Sequence, residues 1–267
     1  MTPDAIAATL TAIRARRPLV HGIVDFTAMT ATATALLAFG ASPAMVEAED
    51  EVAEFAAKAD ALVIDLGTLS APRATAIRLA VAAARAAGIP WVLDPVAFGA
   101  TRPRTALAQE LLTARPAVVR GNGSDIAALT GAAVSGHGIL SIATSDVALA
   151  AARRLAIQAG MIVAVTGAND CVTDGRQTVV IRNGDPSTSQ VIGLGGTATA
   201  LIGACLAVER DPLVAAAHAL VLLGVAGEIA AARAHGPGSL QVEILDALAA
   251  LDAATLSRSL RIDQPSG

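Results

Sequence analysis

The sequence predicts a single α/β domain with a mostly parallel central sheet that is flanked by helices on both faces. Short β-branched segments alternate with long alanine-rich segments, which is the pattern of repeated strand–helix–strand units. Hydrophobic residues make up 54% of the chain but aromatic residues only 2%, so we expect alanine-rich helices packed closely around a few strands. No repeat, linker or low-complexity tract divides residues 1–267, which predicts one domain over that whole range.

Four segments have the length and composition of strands that are buried on both faces. They are ALVIDLG (61–67), PWVLDP (90–95), AVVRGN (117–122) and MIVAVTG (161–167). A later segment, DGRQTVVIRNGD (174–185), predicts two short extended pieces joined by turns at an antiparallel edge.

Two helices between these strands have recognisable ends. Ser70 and Pro72 are typical of the start of a helix over 71–87. Ser145 is typical of the start of a second helix, which Gly160 ends.

The segment QVIGLGGTATALIGACLAV (190–208) is apolar and uncharged, and its length alone meets the criterion for a membrane span. Gly193, Gly195 and Gly196 interrupt its first third, which leaves about twelve helical residues, too few to cross a bilayer. We therefore expect a buried helix that begins at Gly196 behind a glycine loop, followed by mostly helical structure.

Composition argues against several functional classes. The net charge is −4 with no tyrosine and one tryptophan, whereas nucleic-acid binding needs clustered basic residues and usually stacking aromatic residues. Cys171 and Cys205 lack metal-ligand spacing, and the acidic Asp4 ahead of the first apolar residues is not the pattern of a signal peptide. We expect a cytoplasmic protein with free thiols that binds neither nucleic acid nor a membrane.

Polar residues or glycine follow all four predicted parallel strands. In parallel α/β sheets the ligand lies at the carboxyl ends of the strands, so these residues are candidates for one site. They are Asp65 to Thr68, Asp94 with Pro95, Arg120 to Asn122, and Thr166 with Gly167. Any one of them is also a good turn or cap residue, but together they indicate a site.

Two aspartates are candidate Mg²⁺ ligands. Asp94 precedes Pro95, which holds its backbone extended. A carboxylate fixed at a strand end suits Mg²⁺, which prefers oxygen ligands and keeps several waters. Asp125 follows Asn122 near the start of a predicted helix and is either a second ligand or a helix cap.

The glycines at 193, 195 and 196 are candidates for an anion site. A glycine loop that leads into a helix presents unpaired N–H groups at the positive end of the helix dipole, and phosphate is its most common ligand. The segment is not a P-loop, because no lysine follows the glycines. Close helix packing is the alternative explanation for these glycines.

The chain resembles the hydroxyethylthiazole kinases of thiamin salvage, which have the ribokinase-like fold. Seven segments in order along nearly the whole chain carry the resemblance. They are TATALLAFGASPAM (32–45), ADALVIDLGTLS (59–70), VLDPVAFGATRPR (92–104), VVRGNGSDIAALTG (118–131), VTGANDCVTDG (165–175), LIGACLAVERDPLVAAA (201–217) and GPGSLQVEILDAL (236–248). The resemblance implies a three-layer ribokinase-like sandwich and phosphorylation of the primary hydroxyl of 4-methyl-5-(2-hydroxyethyl)thiazole by Mg²⁺ and ATP. It also implies a homotrimer with its sites at subunit interfaces.

Site residues follow from the resemblance by position. It implies thiazole contacts at Met45 and Gly193, and nucleotide contacts at Arg120 and Thr166. The Mg²⁺–ATP complex would lie near Asp94, Asn122 and Asp125, with the transferred phosphoryl group over the loop from Gly193 through Gly195 to Gly196.

Several positions depart from the family pattern. Family members usually end the glycine loop in cysteine, the position of the general base, where this chain has Gly196. They commonly have asparagine where this chain has Gly22, Asp25 and Thr34, in a segment that helps to form the acceptor pocket, and glutamate where it has Asp125. Asp25 is either a substitute proton acceptor, a selector for a different acceptor, or an exposed turn residue.

These departures leave three functional hypotheses. The first is a thiazole kinase that is slow, because a general base contributes roughly 10²–10⁴-fold to rate. The second is a non-catalytic relative that binds nucleotide or thiazole. The third is a kinase for a different small primary alcohol. Cys205 is predicted to be a core residue rather than a base, because nine residues of helix place it about 13 Å from Gly196.

A structural role is predicted for all four histidines, which are His21, His137, His218 and His235.

Overall fold

The computed structural model describes residues 1–131 and 145–264. Its core is one nine-stranded sheet in the order β2-β1-β3-β4-β5-β6-β7-β8-β9. The strands are β1 Leu19–Ile23, β2 Ser42–Ala44, β3 Ala61–Asp65, β4 Trp91–Asp94, β5 Val118–Asn122, β6 Ile162–Thr166, β7 Asp170–Thr173, β8 Thr178–Ile181 and β9 Ile262–Asp263. Strands β1 to β6 pair in parallel, and β7 to β9 continue the sheet antiparallel.

Helices cover both faces of this sheet. They are α1 Pro3–Arg16, α2 Met29–Phe39, α3 Val52–Ala56, α4 Ala71–Ala86, α5 Arg102–Thr113, α6 Gly123–Leu129, α7 Ser145–Ala159, α8 Leu194–Leu206, α9 Pro212–Ala231, α10 Pro237–Ala250 and α11 Ala253–Ser259. Val63 of β3 points to a core shared with α1, α2 and α8 to α11, whereas Leu62 and Ile64 point to the core formed with α3 to α5. Successive strand residues face opposite sides, so the alternation produces three layers.

The four predicted buried strands are confirmed as β3, β4, β5 and β6. The predicted antiparallel segment needs a correction. Its first strand lies ahead of residue 174, at Asp170–Thr173, and Asp174 to Gln177 form the turn, in which the Asp174 carboxylate accepts the N–H groups of Arg176 and Gln177. The short β9 pairs beyond β8 and forms the actual edge.

The predicted helix boundaries largely hold. Ser70 caps α4, its hydroxyl accepting the Arg73 N–H at 3.3 Å, and α7 begins at Ser145 and ends before Gly160. Helix α8 begins at Leu194, two residues earlier than predicted, with Gly193 as its left-handed cap.

Helices α8 and α9 form the centre of the larger core. Every residue of α8 from Gly196 to Leu206 is buried. Among the described residues, Pro212–Ala231 is the one helix long and apolar enough to cross a membrane, and 78% of its apolar window is buried inside the fold. That burial is what a core helix requires.

Candidate active site

The parallel strands bring their polar carboxyl ends to one edge of the sheet. In the strand register Asp65 of β3 lies beside Asp94 of β4, and Asn122 of β5 lies beside Thr166 of β6. The amino end of α8 reaches the same edge, because Gly195 and Gly196 contact Arg120 and Asp65 respectively. The predicted convergence of strand ends is therefore present.

Asp94 lies at the centre of this edge with 1% of its surface exposed. Its Oδ2 accepts hydrogen bonds from Nη1 of Arg120 at 2.7 Å and from Oγ1 of Thr199 at 2.9 Å. Its Oδ1 is buried and has no partner among the described residues. Burial of a carboxylate oxygen without a hydrogen-bond donor costs free energy unless a cation or a ligand group binds to that oxygen.

Arg120 connects β5 to the glycine loop. Its Nη1 forms the buried ion pair with Asp94, and its Nη2 donates to Oγ1 of Thr166. A Cβ at Gly195 would lie 2.8 Å from Nη1, so a side chain there would force the buried guanidinium to move. The result is a positive charge held at the amino end of a helix.

The glycine loop has the geometry of an anion site. Gly193 adopts φ +82° and a Cβ there would lie 2.7 Å from Cβ of Ala28, so both conformation and space require glycine. Within the described part of the chain, the N–H groups of Gly195 and Gly196 have no hydrogen-bond partner. Free amides at a helix amino terminus next to a guanidinium favour a phosphate group.

Gly196 faces Asp65 and Thr32. A Cβ at residue 196 would lie 3.1 Å from Oδ2 of Asp65 and 3.6 Å from Oγ1 of Thr32. The Thr32 hydroxyl is buried and has no partner among the residues described. A hydroxyl and a carboxylate therefore border the space that a side chain at 196 would occupy.

Asp65 is a site residue to which the sequence analysis gave no individual role. It is 3% exposed, and its Oδ1 accepts the Gly67 N–H at 2.6 Å. Burial raises the pKa of Asp65 to about 7, and the nearby charge of Asp94 adds to the shift. The available signal was its position at the end of the strand next to that of Asp94.

Asp125 lies in the first turn of α6 and is not its cap. Asn122 is the cap, with its Oδ1 accepting the Asp125 N–H at 2.9 Å. Burial, and the charge of Asp94, raise the pKa of Asp125 to about 6, although the nearby charge of Arg120 opposes the shift. Asp125 thus belongs to the same electrostatic cluster as Asp94.

The described residues contain no group of three or more His, Cys, Asp or Glu side chains that could hold a metal by themselves. Mg²⁺ does not require such a group, because it is commonly held by one or two carboxylates, several waters and substrate phosphates. The unpartnered Oδ1 of Asp94 fits that role, and Asp125 is a second carboxylate of the same cluster.

The segment expected to form the acceptor pocket follows β1. Asp25 is a turn residue whose Oδ1 accepts from the Thr27 N–H at 2.9 Å and from the Thr68 hydroxyl at 2.7 Å. Burial alone would raise the pKa of Asp25, but these hydrogen bonds outweigh the effect of burial and lower the pKa.

Met45 and Thr34 are further residues of the expected pocket. Met45 lies beside Gly22, because a Cβ at Gly22 would be 3.0 Å from Sδ of Met45. Thr34 is exposed on α2 and donates to its own helix at Thr30.

Cys205 is buried in the core, and burial raises the pKa of its thiol, so it is not a base for this site. His21 and His218 are buried and bonded to Val46 and Thr9, which agrees with structural roles. His235 is exposed, and His137 lies outside the described residues.

Thr32 and Thr199 were missed by sequence reasoning. Both lie inside helices, Thr32 in α2 and Thr199 in α8, where threonine is an ordinary residue. Only the packing of those helices brings the Thr32 hydroxyl beside Gly196 and the Thr199 hydroxyl to Asp94, so no local pattern could have identified them.

Comparison with known proteins points to one family. The model of the hydroxyethylthiazole kinase family matches residues 10–254. A hydroxyethylthiazole kinase of Granulibacter bethesdensis is 60% identical over 252 residues, covering 94% of this chain and 92% of that protein. One from Tolumonas auensis is 45% identical over 265 residues, covering 97% and 99%.

Solved structures of related proteins indicate the same family and fold. A hydroxyethylthiazole kinase protein from Pyrococcus horikoshii OT3 superposes with a TM-score of 0.90 at 37% identity, covering 98% of this chain and 99% of the other. The pyridoxal kinase from Staphylococcus aureus in complex with AMP-PCP and pyridoxal has a TM-score of 0.60 at 19% identity, covering 79% and 88%, a likeness of fold alone. The predicted ribokinase-like fold is confirmed.

Proposed function

The chain belongs to the hydroxyethylthiazole kinase family, and from this we propose that it transfers the γ-phosphoryl group of ATP to the primary hydroxyl of 4-methyl-5-(2-hydroxyethyl)thiazole. One observation carries the proposal at the level of the site. The free N–H groups of Gly195 and Gly196 lie at a helix amino terminus with the Arg120 guanidinium packed against the same backbone. Phosphoryl transfer is catalysed mainly by positioning and charge neutralisation, which this arrangement supplies.

The nucleotide is proposed to lie along the ends of β4, β5 and β6. Arg120 would neutralise phosphate charge while its ion pair with Asp94 and its bond to Thr166 keep the guanidinium in place. Asn122 supports this region indirectly, because its side chain is engaged in capping α6.

Asp94 and Asp125 are proposed to hold Mg²⁺, which when bound would offset the charge of the phosphates. The support is the buried, unpartnered Oδ1 of Asp94 and the raised pKa that burial and Asp94 give Asp125. Two carboxylates crowded together away from water are stabilised by a divalent cation.

The thiazole alcohol is proposed to bind between Met45 and Gly193, with Asp25 ordering the adjoining turn through Thr27 and Thr68. Met45 follows β2, which is the outermost strand of the sheet. The homotrimer with shared sites that the family resemblance implies is part of this proposal, in which a neighbouring chain would approach the sheet at that strand.

The deciding experiment measures ADP release with Mg²⁺–ATP and the thiazole alcohol, and with a panel of other small primary alcohols. Turnover with the thiazole alcohol, confirmed by mass spectrometry of its phosphate ester, supports the proposal. Turnover with a different alcohol alone indicates another acceptor. No turnover, together with calorimetric binding of AMP-PCP, indicates a non-catalytic relative.

A further inference from the structure

We propose that Asp65 is a catalytic residue of this chain, the general base that accepts the proton of the acceptor hydroxyl. The inference rests on the proposed function, because it assigns a role within that phosphoryl transfer.

The position of Asp65 relative to the glycine loop carries the argument. If the transferred phosphoryl group lies on the N–H groups of Gly195 and Gly196, the attacking hydroxyl must approach next to that loop. Oδ2 of Asp65 lies 3.1 Å from where a Cβ of residue 196 would be. With glycine at 196 no side chain fills that position, and the Asp65 carboxylate, the Thr32 hydroxyl and the Ala28 methyl border it.

The carboxylate is oriented for the task. Its Oδ1 is held by the Gly67 N–H at 2.6 Å, which fixes the plane of the group, while Oδ2 makes no hydrogen bond within the described residues. The buried hydroxyl of Thr32, also without a partner in that part of the chain, borders the same space. These two polar groups could complete their hydrogen bonding with an alcohol.

The other carboxylates near the site are assigned different roles. Oδ2 of Asp94 accepts from Arg120 and Thr199, and its unpartnered Oδ1 is the proposed Mg²⁺ ligand. Oδ1 of Asp25 accepts from Thr27 and Thr68. Asp65 is therefore the carboxylate that combines proximity to Gly196 with an oxygen free to accept a proton.

In the proposed step, the alcohol oxygen forms a bond to the γ-phosphorus. The bond between that phosphorus and the β–γ bridging oxygen breaks, and its electron pair leaves with ADP. The hydroxyl proton moves to Oδ2 of Asp65, which becomes a neutral carboxylic acid. Asp65 then returns this proton to solvent.

The test compares the wild type with Asp65→Asn, which keeps the size of the side chain and removes its basicity. A general base contributes roughly 10²–10⁴-fold, so we expect kcat to fall by at least about 100-fold. The KM for the alcohol, and its calorimetric affinity in the presence of AMP-PCP, should change less than about threefold. Asp60→Asn is the matched control at the opposite end of β3, where the exposed Asp60 accepts the Leu19 N–H, and it should retain wild-type kcat.

Two rescue experiments distinguish a catalytic role of Asp65 from a purely structural one. Sodium formate should raise the kcat of Asp65→Ala and not that of Asp65→Asn, because only alanine leaves room for the added carboxylate. Gly196→Asp should restore part of the activity of Asp65→Asn, since its Cβ would lie next to the position of the lost oxygen.

Each outcome supports or overturns the proposed role of Asp65. A large loss of kcat with unchanged alcohol binding, and formate rescue, supports the inference. Wild-type kcat in Asp65→Asn overturns it, as does a loss confined to alcohol binding or the absence of both rescues. A wild type that does not phosphorylate the thiazole alcohol overturns the proposed function first and the inference with it.

Discussion

At the scale of single residues, the geometry of the site depends on two glycines, which have no side chain. Gly195 lets the Arg120 guanidinium approach the loop backbone, and Gly196 places no side chain beside the Asp65 carboxylate. Such close approach is the usual physical reason for glycine at a phosphate site. Adding one methyl group is therefore the most direct test at this scale.

Gly195→Ala should weaken ATP use. Its Cβ would lie 2.8 Å from Nη1 of Arg120, so the guanidinium must move and its charge-assisted bonds to Asp94 and Thr166 are strained. Losing one such bond costs about 1.5–3 kcal/mol, which is a fall of roughly 10–150-fold in kcat/KM for ATP. Steady-state kinetics at saturating alcohol measures this.

Gly238→Ala is the matched control for that variant. Gly238 is the second residue of α10, as Gly195 is of α8, and no atom lies within 4 Å of its Cβ position. It should keep wild-type kcat/KM. If both variants behave alike, the Arg120–Gly195 contact has no functional role.

At the scale of elements, the packing of α8 on β3 sets the geometry of the site. A Cβ at Gly203 would lie 2.6 Å from Cγ2 of Val63, so the helix and the strand are in close contact. Gly196 and Gly203 are seven residues apart on one helix face, and Asp65 and Val63 are two apart on one strand face. The contact at Gly203 therefore brings Gly196 to Asp65.

Gly203→Ala should push α8 away from β3. Overpacking of this kind costs about 1–3 kcal/mol in unfolding free energy, and kcat should fall as well because Gly196 moves relative to Asp65. Gly227→Ala in α9, where the nearest atom is a Thr188 methyl at 3.1 Å, should affect both less. Urea unfolding measures the effect on stability, and turnover measures the effect on kcat. A destabilised but fully active Gly203→Ala would show that the contact at Gly203 does not set the geometry of the site.

Helix α9 adds a pH dependence to stability. His218 is 1% exposed, bonds to Oγ1 of Thr9 in α1 at 2.8 Å, and has no partner for its Nε2 among the residues described. Burial lowers the pKa of His218 to about 4. Since the unfolded chain protonates near pH 6.5, this contribution to stability is complete above that value and declines as the pH falls towards 4, by roughly 3 kcal/mol.

His218→Gln should remove that part of the pH dependence. The difference in unfolding free energy between wild type and variant should shift in favour of the variant as the pH drops from 7 to 4.5. The exposed His235→Gln is the comparison and should follow the wild type. A constant difference for His218→Gln across this range would contradict the assignment.

The sequence predicts β3 to β6 because each is a short β-branched run, and the carboxyl ends of those strands identify Asp94, Arg120 and Thr166 as neighbours. Strands β2 and β9, of three and two residues, are too short to show a pattern. The proximity of Asp65 to Gly196 was not predictable, because it depends on how closely α8 approaches β3, which no local pattern encodes.

At the scale of the whole molecule, three exposed apolar side chains lie on the layer that contains α8. Leu37 of α2, Ile192 before α8 and Val242 of α10 are 57%, 76% and 57% exposed. Helix α2 packs on both α8 and α10, so the three residues lie on adjoining elements of one layer. Exposed apolar side chains grouped in this way mark an interaction surface, and a second copy of the chain is the partner that the proposed trimer supplies.

The combined substitution Leu37→Glu and Val242→Glu should therefore dissociate the oligomer. Light scattering should give the wild type a mass about three times the 26.6 kDa of the chain and the variant a mass near that of one chain, because charges buried in an apolar contact are strongly unfavourable. Activity should fall with dissociation if the acceptor pocket is shared between subunits. Val147→Glu, at a 51% exposed position on the opposite layer, should leave mass and activity unchanged. A monomeric wild type with full activity would show that one chain holds the complete site, whereas an intact trimer in the double variant would place the subunit contact on another face.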